Sequence, residues 1–336
     1  MPCAGKRHVE GVAIVGAGGI GCAVGYALRL AGVPVTFVES DRDKVVWGQA
    51  HGVQVDRHSP LSADFVHFDG WSPRPDETII LCTKCYDNAR VLERLPRTVT
   101  LIAVQNGFDR ALEMSSAGVE GIASFVSECQ PHQTHTRITR AGKLHLGHRG
   151  APGSSNGSWT QKLAPLAGAL ARAGLFRVGV VPDILPYKNT KLMYNAAIGP
   201  LAAAAGLDNG QLLSVPPARR LFFDLLRENY AILREAGVPL GKIGPFHPRT
   251  VSHILSHEVV ARSLGWAFYP SLRGTYCSMH ADLPAGRTEI DNYNGYLIGL
   301  AADRPCPLNR RVYDLIKKME QERIAPGLHV LKELAG

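Results

Sequence analysis

Apolar residues fall in short blocks along the first half of the chain and in one-sided stripes along the second. VAIVG (12–16), VTFVE (35–39), TIILCT (78–83) and TLIAVQN (100–106) are nearly continuous apolar runs of strand length, as expected of strands covered on both faces. Between them IGCAVGYALRLAG and YDNARVLERL repeat apolar positions at helical spacing. Strands alternating with helices predict a parallel sheet with crossover helices, an α/β domain of Rossmann type. GIASFVSECQ comes next, and then THTRITRAGKLHLGHRG, two runs about Ala141-Gly142-Lys143 that predict a hairpin. GAPGSSNGS predicts a loop, TQKLAPLAGALARAG a helix and FRVGVV a strand.

After Pro182 the periodicity is helical throughout. KLMYNAAIGPLAAAAG, PARRLFFDLLRENYAILREAG and RTVSHILSHEVVARSLG predict helices, as do segments about TYCSMHAD, YNGYLIGLAAD and RRVYDLIKKMEQE. The expected organisation is therefore an α/β domain over 1–182 and an all-α domain over 183–336.

Composition narrows the classes. A length of 336 residues suits two domains, and 45% hydrophobic with 20% charged residues is ordinary for a soluble globular chain. The net charge of +8 comes from scattered lysines and arginines, not stripes interleaved with aromatics. That argues against nucleic acid and suits a small anionic ligand. No apolar run is long enough for a membrane span. The basic start MPCAGKRHVEGVAIVGAGG reads as a strand entering a glycine turn, not as a secretion signal. The sequon at Asn156 then carries no meaning. Seven cysteines at irregular spacing imply a reducing cytosol and a cytoplasmic protein. Cys82-Thr-Lys-Cys85 lacks a second cysteine pair, and His253 with His257 lacks a third ligand, so no metal is expected.

Gly16-Ala-Gly18-Gly-Ile-Gly21 fits G-x-G-x-x-G between a strand and a helix, the context that gives the pattern meaning. Gly16 permits the tight turn, Gly18 lets a pyrophosphate approach, and Gly21 allows helix to pack on strand; Gly19 and Ile20 complete the turn. N–H groups at the helix start would face the phosphates. Glu39 ends the second strand, where an acid accepts from ribose hydroxyls and repels a 2′-phosphate, which leans toward NADH. Arg42 nearby could instead receive that phosphate. Lys84 and Asn106-Gly107 follow further strands at the edge where such sheets bind ligands. In the helical half, Lys191 and Asn195 are four residues apart and share one helix face.

GAGGIG, QNG at 105–107, the K-x-x-x-N…P-L run from Lys191 to Leu201, Asn209-Gly210, and C-S-M…T-E-I-D-x-x-N-G from Cys277 to Gly295 form an ordered set. Over nearly its whole length the chain resembles ketopantoate reductases, which reduce 2-dehydropantoate with a nicotinamide cofactor on the route to pantothenate and coenzyme A. The resemblance implies that Lys191 is the general acid, with a pKa lowered by partial desolvation. It implies that Glu289 is the second essential group, bonding the substrate hydroxyl or the lysine region. Asn106 would touch the nicotinamide side, Asn195 and Ser278 would hold the substrate, and Asn209 would line the site. The family habit is NADPH, against the lean from Glu39. Helical domains of this class often pair, so a homodimer fits.

Three positions depart from the family pattern. Gly199 stands for a second substrate-binding asparagine, Ala202 for a serine or threonine, and Thr275 for another asparagine. Each removes a polar group that would grip the substrate, at about 1.5–3 kcal/mol for a hydrogen bond to a charged group. A different carbonyl or imine substrate, with a bulkier or less polar body, is therefore an alternative to ketopantoate. A non-catalytic dinucleotide-binding protein is a third reading, weakened because it needs neither Lys191 nor Glu289.

Overall fold

The computed structural model describes residues 11–115, 118–150 and 158–334. Asn156 and most of the GAPGSSNGS segment lie outside them. The chain forms two compact units, one of residues 11–105 with 109–184, the other of 106–108 with 185–334.

The strands of the first unit are β1 (Val12–Val15), β2 (Val35–Glu39), β3 (Gln54–Val55), β4 (Asp64–His67), β5 (Thr78–Leu81) and β6 (Thr100–Val104). They continue with β7 (Val119–Ala123), β8 (Val126–Cys129), β9 (His135–Arg140), β10 (Lys143–His148) and β11 (Arg177–Asp183). Its helices are α1 (Gly19–Leu30), α2 (Arg42–His51), α3 (Asn88–Leu92), α4 (Arg110–Glu113) and α5 (Ser158–Arg172). An eight-stranded sheet runs β11-β10-β7-β6-β5-β1-β2-β4, parallel except where β10 meets β7.

The continuous apolar runs have the cause expected of them. Along β1, Val12 and Ile14 join the core beneath α1 and α5, while Ala13 and Val15 join the core on the opposite face. In β5, Ile80 faces the first core, and Ile79 and Leu81 the second. Because β1 lies between β5 and β2, successive crossovers leave it in opposite directions. Its C-terminal end is thus the switch point at which such sheets open a crevice.

One sequence expectation fails here. The strands around Ala141-Gly142 do not form a hairpin. β9 pairs with β8 and β3 in a separate three-stranded sheet, and β10 pairs with β7 and β11 in the main one. Residues 141–142 carry the chain from one sheet to the other, past a point where a Cβ on Gly142 would collide with the Phe125 backbone nitrogen. Alternation shows which face a strand buries, not which neighbour it pairs with. β1, β5 and β6 also end earlier than their apolar runs, whereas β2 matches its own. β1 stops at Val15 because Gly16 takes φ +97°, a left-handed-side conformation that favours glycine.

The second unit has helices and no strand among its described residues: α6 (Leu185–Ala205), α7 (Asn209–Ser214), α8 (Pro216–Glu235), α9 (Pro248–Leu255), α10 (Glu258–Leu272), α11 (Ser278–Ala285), α12 (Asn294–Ala301) and α13 (Pro307–Glu322). RTVSHILSHEVVARSLG is two helices, not one, since the chain breaks at Ser256-His257. His253 lies in the last turn of one helix and His257 is the N-cap residue of the next, with rings edge to face at 5.2 Å. α7 escaped the periodicity because six residues are too few to show it. It is set by a capping box, in which Asp208 accepts from the Gln211 N–H and Gln211 accepts from the Asp208 N–H. No helix among the described residues is long and apolar enough to cross a membrane.

Candidate active site

The glycine turn leaves β1 and enters α1. A Cβ on Gly16 would fall 2.9 Å from the Cys82 carbonyl carbon, and one on Gly21 would collide with the Gly16 carbonyl. On Gly19 it would fall 2.6 Å from Ser127 O. Gly18 differs, for a Cβ there meets nothing within 4 Å. Gly16, Gly19 and Gly21 are thus glycines because protein backbone approaches them, whereas Gly18 faces open space at the N-cap of α1. That helix has no acidic residue in its first turn. Ile20 packs its side chain onto the sheet core. The arrangement has the features a pyrophosphate site needs: a bare backbone approach and helix N–H groups without an acidic residue in the first turn.

Glu39 is tied to this turn. Its Oε2 accepts from Ala17 N at 2.9 Å, and its Oε1 from Ser40 N at 2.7 Å and Asp41 N at 3.1 Å. The carboxylate is therefore fixed beside the glycines at the end of β2. Asp41 caps α2 by accepting from Asp43 N and Lys44 N, and meets His132 Nδ1 at 2.8 Å. Asp41, Asp43 and His132 bring ligand atoms within 4.8 Å of one another, but Asp41 is already committed as the cap.

Lys84 lies beyond β5, half-buried, capping a 3-10 turn at Cys85–Asp87. The ends of β5 and β6 are stitched by an amide lattice that sequence patterning did not reveal. Gln105 Nε2 donates to Thr83 O at 2.7 Å and Asn88 Oδ1 at 2.7 Å, and Asn88 Nδ2 donates to Asp109 Oδ2 at 2.7 Å. Gln105 opens the Q-N-G motif at 105–107, so the signal was present without its structural meaning. Cys82 is an inert thiol, since burial pushes it up to about 12.

The helix carrying Lys191 and Asn195, α6, contains Pro200. Proline has no N–H, so the carbonyl four residues back, Ala196 O, loses its helical donor. Asn294 supplies the replacement: its Nδ2 donates to Ala196 O at 2.9 Å and to Asn309 Oδ1 at 3.0 Å. Asn309 Nδ2 passes the chain to Asn229 Oδ1 at 2.8 Å, and Asn229 Nδ2 returns to Met193 O of α6 at 3.0 Å. Three buried amides from α8, α12 and α13 thereby lock the stretch of helix around Asn195. Lys191 and Asn195 are half-buried on it, among alanines that let neighbouring helices approach. Tyr194 between them is held neutral, as burial lifts its phenol to about 12.

Asn106 belongs to the helical unit, in a segment pinned to the residues after Glu289. Phe108 N donates to Asn292 O at 3.1 Å, and Asn292 Nδ2 donates to Phe108 O at 2.9 Å. Gly107 takes φ +73°, and a Cβ there would fall 2.7 Å from the Tyr293 ring. Glu289 is 3% exposed, with Tyr293 OH 3.5 Å from its Oε2. Lys188, absent from the sequence expectations, is a buried lysine whose Nζ stands 4.9 Å from the centroid of Phe108, which itself stacks on Tyr296. The sequence clue was its place one turn before Lys191.

The remaining residues divide. Ser278 is exposed at the first position of α11, and its neighbour Cys277 donates to Gly199 O at 3.2 Å, which sets α11 against α6. Asn209 is buried and donates to Thr275 Oγ1 at 3.0 Å, so these two serve each other. Ala202 lies fully inside the helical core. The missing polar groups at 202 and 275 therefore concern packing, contrary to the expectation that they gripped the substrate. Gly199 alone keeps a bearing on shape, and there a Cβ would meet only Met279 Sδ, at 3.7 Å.

Comparison with known proteins gives a consistent result. A family profile described as "Ketopantoate reductase PanE/ApbA" matches residues 12–151, and its companion, "Ketopantoate reductase PanE/ApbA C terminal", matches residues 183–320. The 2-dehydropantoate 2-reductase of Pyrobaculum aerophilum is 28% identical over 245 residues, 72% of this chain and 76% of that protein. The 2-dehydropantoate 2-reductase of Halobacterium salinarum is 23% identical over 326 residues, 93% and 99% of the two. In fold, the chain is similar to the ternary structure of D-mandelate dehydrogenase with NADH and anilino(oxo)acetate. There the TM-score is 0.75 at 18% identity, with 93% of this chain and 99% of that one covered.

Proposed function

Because the chain belongs to the ketopantoate reductase PanE/ApbA family, we propose that it reduces a 2-oxo acid to the 2-hydroxy acid using a reduced nicotinamide dinucleotide, with Lys191 as general acid. The observation that supports this most is the treatment of α6, whose proline defect is repaired by Asn294 so that the Lys191–Asn195 face stays helical. A protein that merely held a nucleotide would have no need of that face.

The dinucleotide, when bound, supplies hydride to the carbonyl carbon. As the new C–H bond forms, the π electrons of the carbonyl move to oxygen. An ammonium at Lys191 Nζ stabilises that charge and delivers the proton that completes the hydroxyl. Asn195, one turn on, offers an amide to the same substrate face. Glu289, buried with Tyr293, is the acid that orients the substrate hydroxyl or the lysine. Gly16, Gly18, Gly19, Ile20 and Gly21 hold the pyrophosphate, while Lys84 and Asn106 bound the nicotinamide end. Ser278 takes the substrate carboxylate, and Asn209 acts behind the site through Thr275.

Glu39 favours NADH, since its carboxylate is fixed by three backbone N–H groups beside the turn and would repel a 2′-phosphate. For the substrate, 2-dehydropantoate is the first candidate. Gly199 favours a second reading, in which a bulkier apolar 2-oxo acid is used, because the missing side chain leaves Met279 in place of an amide.

The test follows loss of NADH absorbance with 2-dehydropantoate and with an aromatic 2-oxo acid. Lys191→Ala should lower kcat by about 10²–10⁴-fold while leaving NADH binding in place. An undiminished kcat would refute the acid role, and no turnover with any 2-oxo acid would refute the reductase.

A further inference from the structure

Beneath the glycine turn two thiols meet on one carbonyl. Cys22, in the first turn of α1, is fully buried with its Sγ 3.2 Å from Ala17 O. Cys129, at the end of β8, is half-buried, 3.7 Å from the same oxygen and 3.2 Å from Gln133 O. The two sulfurs are thus neighbours on one oxygen, and both are free cysteines. The three-stranded sheet presses on the start of α1: Thr136 Oγ1 lies 3.4 Å from Gly19 O, and Ser127 O leaves no room for a Cβ on Gly19.

We propose that Cys22 and Cys129 are a reversible oxidation site, closed to a disulfide by a peroxide, and that closure weakens dinucleotide binding at the turn above. The second half of this rests on the dinucleotide reading of the glycine turn. The two sulfurs are unequal. The neighbouring Cys22 thiol, and then the Lys44 ammonium, hold the Cys129 thiol below its ordinary range against burial and Glu39. Cys22 is pushed well above that range by the neighbouring Cys129 thiol and by burial. Cys129, half-buried and readier to ionise, is the attacking sulfur, and Cys22 resolves.

The Cys129 thiolate attacks one peroxide oxygen. The O–O bond breaks, Cys129 becomes a sulfenic acid, and the departing hydroxide takes a proton as water. The Cys22 sulfur then attacks the sulfenic sulfur, the S–O bond breaks, and a second water leaves with the Cys22 proton. Two thiols lose two electrons and two protons, and the peroxide gains them.

The cost falls on the turn. Ala17 O accepts from Cys22, from Cys129 and, at 3.4 Å, from Lys44 Nζ. In a planar trans peptide the carbonyl and the following N–H point opposite ways. An inward Ala17 O therefore fixes the Gly18 N–H pointing the opposite way, outward from the two thiols. A disulfide has no hydrogen to donate, so oxidation takes the Cys22 thiol, the nearer sulfur, from Ala17 O and leaves the longer contact from Lys44 to set this peptide's direction.

The experiment treats the full chain with hydrogen peroxide, alkylates it, and maps peptides by mass; NADH binding is measured by calorimetry before treatment, after it, and after dithiothreitol. A Cys22–Cys129 crosslink is expected, with NADH affinity down about tenfold and restored by the reductant. Cys22→Ser and Cys129→Ser should each abolish both the crosslink and the peroxide effect. Oxidation that spares this pair, or an affinity unmoved by the crosslink, overturns the proposal. Reduced protein that binds no NADH overturns the dinucleotide reading and with it the effect on binding, while the crosslink, read by mass alone, stands or falls separately.

Discussion

Asn294→Ala tests the repair of α6 and can be isolated by a second substitution. Removing the amide strands Ala196 O, which Pro200 leaves without a helical donor, and takes the donor from Asn309 Oδ1. Each buried acceptor left unpaired costs about 1–3 kcal/mol, so the single change should destabilise by about 2–5 kcal/mol. Pro200→Ala returns an N–H to position 200, able to donate to Ala196 O. In that background only the Asn309 bond is lost, and Asn294→Ala should cost about 1–2 kcal/mol less. The cavity left by the amide is common to both backgrounds and cancels. Urea titration followed by far-UV circular dichroism, on the four proteins of the cycle, reads the coupling from midpoints and slopes. Agreement of the two costs within about 0.5 kcal/mol would refute the idea that Asn294 answers Pro200. Because Ala196 adjoins Asn195, the single variant should also raise KM, and Pro200→Ala should recover part of that loss.

Three further outcomes follow. Glu39→Ala should shift the NADPH-to-NADH ratio of kcat/KM toward NADPH by about tenfold, or about 1.4 kcal/mol; an unchanged ratio would remove Glu39 from cofactor choice. Gly199→Asn, whose Cβ would meet only Met279 Sδ at ordinary contact distance, should turn preference toward smaller polar 2-oxo acids by about tenfold. A panel giving the same substrate ranking as the parent would contradict it. Burial, and then Lys143, lower His145 from 6.5 to about 4. Folding therefore favours the neutral ring, so its contribution to stability is complete above pH 6.5 and lost as pH falls toward 4, with a slope approaching one proton. His145→Gln should flatten that part of a stability–pH profile, and an unaltered slope would show that other groups carry it.

The sequence by itself determined which segments are strands of a doubly covered sheet and which are helices, because burial on two faces or one writes its period directly into neighbouring residues. VTFVE is a strand over the residues expected, and GAGGIG sits at the strand-to-helix turn where its glycines have work to do. Lys191 and Asn195 were legible as one helix face for the same local reason. Tertiary structure alone decided what meets across long separations. It took the strands flanking Ala141-Gly142 into different sheets, set Thr275 against Asn209, and moved Ala202 into the core. It also joined residues 106–108 to the helical unit and brought Asn294 to the carbonyl that Pro200 leaves bare. Periodicity records how one element faces its surroundings, while the partner of a strand or of a buried amide is fixed by chain that lies far away in sequence and leaves no local mark.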